Sequence, residues 1–208
     1  MKFLLGILLI SSNLFAQTDQ EISDKIVSLL DDEKYEEALP LAEDLLLKYP
    51  DDFAPHYNHA VICFHLKKYT EAINDYHFLA KEIPTNAEYT FQIGNIYENM
   101  DSLKKATDYY TKALEITDTD FLYFFKRGTC YLKLESYDEA INDLSSAIRL
   151  NEFHDNSLHN RAIAYYKKGE KDKACEDWCQ AVLLGNQYSA SHLDRNCKQY
   201  PAACLPSK

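Results

Sequence analysis

The chain has 208 residues, 46% of them hydrophobic, and a formal net charge of −11. That length holds one domain or a short repeat array, with enough apolar residues for a sizeable core. The acidity argues against nucleic acid, which wants a basic face, and against an anionic membrane surface.

Sixteen Tyr and ten Phe stand beside only five Gly and six Pro. Few turn residues point to helices rather than an all-β chain.

Residues 1–16 differ from the rest. Lys2 is a short positive start, Phe3 to Ile10 is an apolar run, and Ser11 to Ala16 turns from polar to small. This pattern predicts a secretory signal cleaved after Ala16. The run falls short of the roughly 20 apolar residues that span a bilayer. No membrane insertion is therefore expected after cleavage. The mature chain, without Lys2, would carry −12 and work in the periplasm or as a secreted protein.

From Gln17 onward a repeat governs the chain. The stretch Tyr137-Asp138-Glu139-Ala140-Ile141-Asn142-Asp143 has a near copy at Tyr69-Thr70-Glu71-Ala72-Ile73-Asn74-Asp75. The offset is 68, twice 34. Steps of 34 align Ala38, Ala72, Ala106, Ala140 and Ala174. A fixed period of this length marks one supersecondary unit copied and stacked. The units are 19–52, 53–86, 87–120, 121–154 and 155–188. In the fourth, apolar spacing predicts one helix over Phe121–Lys133 and another over Tyr137–Leu150. The short link makes them antiparallel. The acids of Tyr137–Asp143 are expected to face solvent or cap the helix. Pro50 and Pro84 end second helices by denying the next turn a backbone donor.

These residues resemble the tetratricopeptide-repeat (TPR) family. The fourth unit has Phe124, Arg127-Gly128, Tyr131, Ala140, Leu144 and Ala147 at the family's signature positions. The third has Ile93-Gly94, Tyr97, Ala106, Tyr110 and Ala113, and the fifth Ala162, Tyr165, Gly169, Ala174, Trp178 and Ala181. The resemblance covers residues 19–186. It implies an all-α, right-handed α-solenoid of five TPR-like helix pairs. The small residues allow close helix crossing and the aromatics fill the wedges between neighbours.

After Gly185-Asn186 the pattern changes. Gly185 suits a left-handed C-cap. Residues 188–199 read as a capping helix that covers the last apolar face, and 200–208 as a tail. Four of the six cysteines lie here. Cys175 is eleven residues before Asn186 and Cys197 eleven after it. An antiparallel hairpin brings these two together, so a Cys175–Cys197 disulfide is predicted, worth about 3 kcal/mol in the chain-entropy model. The spacing leaves open whether Cys179 takes Cys204. Cys175-x3-Cys179 puts two thiols on one helix face but lacks the short spacing of a zinc knuckle. Cys63 and Cys130 are expected to be buried free thiols.

No cofactor, metal or catalytic activity is expected. His56 and His59 share a helix face but read as packing residues, with no carboxylate or Cys to complete a ligand set. No phosphate loop and no nucleophile–His motif is present.

The concave face remains, lined by first helices in TPR-like stacks. Its positions, counted by the 34-residue register, put Tyr57, Phe91, Phe125 and His159 in one row. Val61, Asn95, Thr129 and Ile163 follow one turn on, then Phe64, Glu98, Leu132 and Tyr166, with Asn160 beside the first row. Aromatics beside amides suit an extended peptide or an amphipathic helix. The expected function is a non-catalytic adaptor that binds a protein segment in this groove. The alternative is an exported accessory protein that stacks a small molecule or glycan on the aromatics. The register set against the family's carboxylate clamp, with Phe91, Asn95, Lys126, Asn156 and Asn160, lacks its full basic complement.

Overall fold

A computed structural model describes residues 18–198 and Cys204. The expected signal, 1–16, and all of the expected tail except Cys204 lie outside the described residues. Helices account for the regular structure: α1 spans 18–31. Then come α2 (Tyr35–Lys48), α3 (Phe53–His65), α4 (Tyr69–Glu82), α5 (Ala87–Asn99) and α6 (Leu103–Ile116). They are followed by α7 (Phe121–Lys133), α8 (Tyr137–Leu150), α9 (Asp155–Lys167), α10 (Lys171–Leu183) and α11 (Gln187–Asn196). The chain divides after Pro84 into two compact units. The first holds α1–α4 and the second α5–α11.

One device makes each turn within a helix pair. Leu134 N donates to Cys130 O at 2.9 Å, Glu135 N to Leu132 O at 3.1 Å and Ser136 N to Tyr131 O at 2.9 Å. These bonds satisfy the last carbonyls of α7 and require a left-handed residue between the helices. Glu135 takes that conformation with φ 61°, as do Glu33, Lys67, Asp101 and Gly169, each 34 residues from the next. Only the fifth is glycine. The other four accept a backbone well that is about 1–2 kcal/mol less favourable for an L-residue.

Small residues set how closely helices approach. The five landmark alanines are all fully buried. A Cβ on Gly94 would stand 2.6 Å from the Tyr110 ring, and one on Gly128 would stand 3.0 Å from Asp143 Cβ and Leu144 Cγ. A side chain at either glycine would therefore force the facing Tyr110 ring, or Asp143 and Leu144, to move.

The first unit has a core of Ile26, Leu29, Ala38, Ala42, Leu45 and Ile62. In the second unit, Phe91, Tyr110, Tyr123 and Cys130 gather with three alanines around α5, α6 and α7. Ala140, Leu144 and Ala164 join α8 to α9, with Phe125, Tyr131 and Leu132 packed against them. Trp178, Ala174 and Leu193 close the end under α11.

The cap helix starts at Asn186, whose side chain accepts from Ser189 N at 2.9 Å. Gly185 before it has φ 101°. Disulfides join Cys175 to Cys197 and Cys179 to Cys204, with Cα separations of 5.7 and 5.0 Å. The helix stops at Asn196, short of the expected 199, because Cys197 has left helical geometry (φ −126°) beside its disulfide partner. Among the described residues, Cys63 and Cys130 are free and buried.

Candidate functional site

In the second unit the predicted face is built from α5, α7 and α9, with α11 at its end. It is knitted by polar side chains. Thr129 Oγ1 donates to the Phe125 carbonyl at 2.8 Å and accepts from Asn160 Nδ2 at 3.0 Å, tying α7 to α9. Glu98 on α5 receives Lys126 Nζ at 3.0 Å and Lys133 Nζ at 2.9 Å, both from α7. Burial pushes the Glu98 carboxyl up, but the two ammoniums outweigh it and hold the group below its ordinary range. Tyr110 OH donates to Asn95 Oδ1 at 2.8 Å, and burial raises that phenol well above its usual range.

The cap takes up the end of the face. His159 Nδ1 pairs with Ser189 Oγ at 2.7 Å, and Tyr166 OH donates to Asn196 Oδ1 at 3.1 Å. The His159 ring meets His192 edge-on at 5.5 Å, and His192 stacks on Trp178. Burial lowers both imidazoles, so each favours its neutral form. Ile163 packs against the same end cluster.

Phe91 departs from expectation. It is 2% exposed and stacks on Tyr123 at 4.4 Å, beside Tyr110 at 5.3 Å. The absence of a side chain at Gly94 lets the Tyr110 ring lie against α5, and Phe91 fills the seam next to it. Phe125, in the same register, is half-buried and meets His154 edge-on at 4.6 Å. Tyr57, in the first unit, is 45% exposed. Val61 and Phe64 are half-buried there, Phe64 lying near His65 and Tyr69. The three aromatics therefore do not form one open row.

Two further corrections concern charge. Asp143, read as solvent-facing or capping, is 6% exposed, and Asp75 at the matching position of the second repeat is 5% exposed. Arg127 Nε and Nη2 grip Asp143 at 2.7 and 2.8 Å, and Nη1 donates to Thr111 Oγ1 at 3.0 Å. Arg161 repeats this with Asp177 at 2.8 Å twice, and with Ser145 at 3.0 Å. Each arginine thereby joins three successive helices. In the first unit His56 and His59 both hold Asp75, at 2.7 and 2.6 Å, and Cys63 lies 3.4 Å from His59 Nε2. A carboxylate and a thiol thus complete the His cluster that the sequence left without them. His59 and Asp75 form an ion pair there, with Cys63 against the ring. The signal that could have found these pairs is the register itself. His59, Arg127 and Arg161 share one position, and Asp75, Asp143 and Asp177 share another sixteen residues on.

Comparison with known proteins agrees with this architecture. One tetratricopeptide-repeat family model matches residues 24–77 and 125–190, and a second matches 87–120. Curated protein sequences give no match. The fold is similar to that of YrrB, described as a TPR protein with an unusual peptide-binding site. That likeness has TM-score 0.69 and 19% identity, over 84% of this chain and 90% of that one. It is also similar to MamA from Desulfovibrio magneticus RS-1, with TM-score 0.72 and 16% identity, over 86% of this chain and 97% of that one. A further MamA structure gives TM-score 0.73 and 17% identity, over 81% and 92%. Family models covering most of the described residues, on helix pairs of this register, show that the chain belongs to the tetratricopeptide-repeat family.

Proposed function

We propose that the protein is an exported, non-catalytic adaptor that binds a protein segment across the α7–α9 face of its second unit. The family and fold are those of protein-interaction scaffolds in general. The observation that supports a site on this face is the bond from Asn160 to Thr129. It holds two first helices side by side with Phe125, Leu132 and Ile163 half-buried around polar side chains. Such a surface offers apolar anchors for side chains and fixed amides for a peptide backbone. Phe91 has no part in it. Tyr57, Val61 and Phe64 form a separate candidate contact on the first unit. The two disulfides support export, since such bonds persist in oxidising compartments.

Recovery of partners by the wild-type chain and by a Phe125→Ala/Ile163→Ser double variant tests the reading. Wild type should recover proteins that the variant loses, with both chains equally helical by circular dichroism. Identical recovery by both would remove the site from this face.

A further inference from the structure

The cap helix α11 meets α9 through two imidazoles. The His159 ring on α9 and the His192 ring on α11 cross at 66° with centres 5.5 Å apart. His159 Nδ1 also pairs with Ser189 Oγ near the start of α11, at 2.7 Å. His192 lies nearly parallel to the Trp178 indole of α10, 4.8 Å away. One pair of rings thus joins the last three helices. The row that holds Phe91 and Phe125 in earlier repeats holds His159 here, so a titrating ring replaces an apolar one at the contact with the cap.

The cap is pinned at both ends. Gly185 turns the chain ahead of it with φ 101°, and the Cys175–Cys197 disulfide ties its far end to α10. Between these points side chains hold it: the His159–Ser189 pair, the Tyr166–Asn196 bond at 3.1 Å, and Leu193 in the cluster around Trp178. The helix can therefore fray without leaving, and fraying parts the two rings.

Charge decides when it frays. Two neutral rings pack against each other, whereas two imidazolium rings repel across a partly buried contact. Asp155, on α9, favours a cation at His159, but its Oδ2 already accepts from Asn186 Nδ2 at 3.0 Å. Arg195, on α11, opposes a cation at His192. From α10 comes the uncharged Trp178, whose face attracts an imidazolium at His192 but does nothing for a second at His159. The neighbouring α7 meets α9 through Thr129 and Asn160, neither of them charged. Burial, followed by repulsion from His192, holds His159 below its ordinary range.

We propose that the facing imidazoles of His159 and His192 form an acid-sensitive latch, which keeps α11 closed at neutral pH and lets it fray in acid. A frayed cap restores the rings to ordinary solvation, so it takes up protons that the closed cap disfavours. Closure is complete above the ordinary histidine value of 6.5 and is lost as pH falls below it. Opening releases Ser189 and Asn196 from α9 and uncovers Trp178 and Leu193. The latch does not depend on what binds the α7–α9 face.

The test uses the full chain with both C-terminal disulfides intact. Hydrogen exchange, corrected for the intrinsic rate at each pH, gives the opening constants of α11 amides at about pH 7.5 and about pH 5.5. Acid should raise opening of α11 by about threefold or more and leave α6 near its neutral value. His159→Gln/His192→Gln keeps polar side chains but no imidazole, and should bring the acid-to-neutral ratio to about one. Tyr166→Phe weakens the cap but keeps both rings, and should retain the wild-type ratio. This separates lost titration from lost packing. Ring-proton nuclear magnetic resonance of the wild type supplies a readout independent of any variant's folding: His159 should titrate below 6.5. No acid-driven opening of α11, an equal rise in α6, the wild-type ratio in the double variant, or His159 titrating above 6.5 would each overturn the proposal.

Discussion

The second and fifth repeats fill one scaffold position in two ways. In the fifth, Arg161 clasps Asp177 with two nitrogens and reaches Ser145 with the third. In the second, His59 holds Asp75 with one nitrogen, and the Cys63 sulfur lies against the ring, 3.4 Å from the other nitrogen and 3.9 Å from the first. A guanidinium stays charged at any working pH, whereas an imidazole can release its proton. The same position is thus a permanent lock in one repeat and a titrating pair in the other. The third repeat has Ile93 and Tyr109 there and instead stacks Tyr109 on Tyr97 at 5.3 Å. Helix pairing therefore does not depend on an ion pair, and the pairs add interactions particular to each repeat.

The largest effect should come from breaking the permanent lock. Asp177→Ala leaves Arg161, with only 19% of its side chain exposed, without its carboxylate. An uncompensated buried charge should reduce stability by about 3 kcal/mol, read from urea unfolding. A loss below about 1 kcal/mol would class the pair with exposed salt bridges and end the contrast.

A smaller effect, with a definite sign, should come from pH. The folded-state pKa of His59 lies near 10, above its ordinary value of 6.5. Its contribution to stability is therefore complete below about 6.5 and is lost as pH rises through about 10. Asp75 faces the ring from α4, while His56 and Cys63 lie beside it on α3. His59→Arg puts the fifth repeat's cation in the second. Wild type should lose more stability than this variant between about pH 7 and 10, in melting curves followed by circular dichroism. Parallel curves would show that the histidine does not titrate as the geometry requires.

The repeat was legible because packing repeats. Alanines spaced by 34 residues mark the points of closest approach, and all five are buried. The Cys175–Cys197 bridge follows from counting outward from a hairpin turn, because a hairpin places equidistant residues side by side. The buried acids were not legible in one stretch. Asp143 lies among helix-start acids, and only Arg127, sixteen residues earlier on another helix, marks it as buried. The left-handed turns were hidden because Glu33, Lys67 and Glu135 are not residues that announce that conformation. Phe91 was assigned to the open face because register gives the direction of a side chain on an ideal stack. What it misses is the depth to which a neighbour such as Tyr110 enters opposite a glycine.

Site-directed photo-crosslinking tests the central claim most directly. A benzophenone side chain is placed at Leu132, on the α7 face, and in a second chain at Glu139, exposed on α8. The account predicts crosslinks to a protein partner from position 132 and none from 139. Crosslinks from 139 with none from 132 would contradict it and move the binding surface to the second helices.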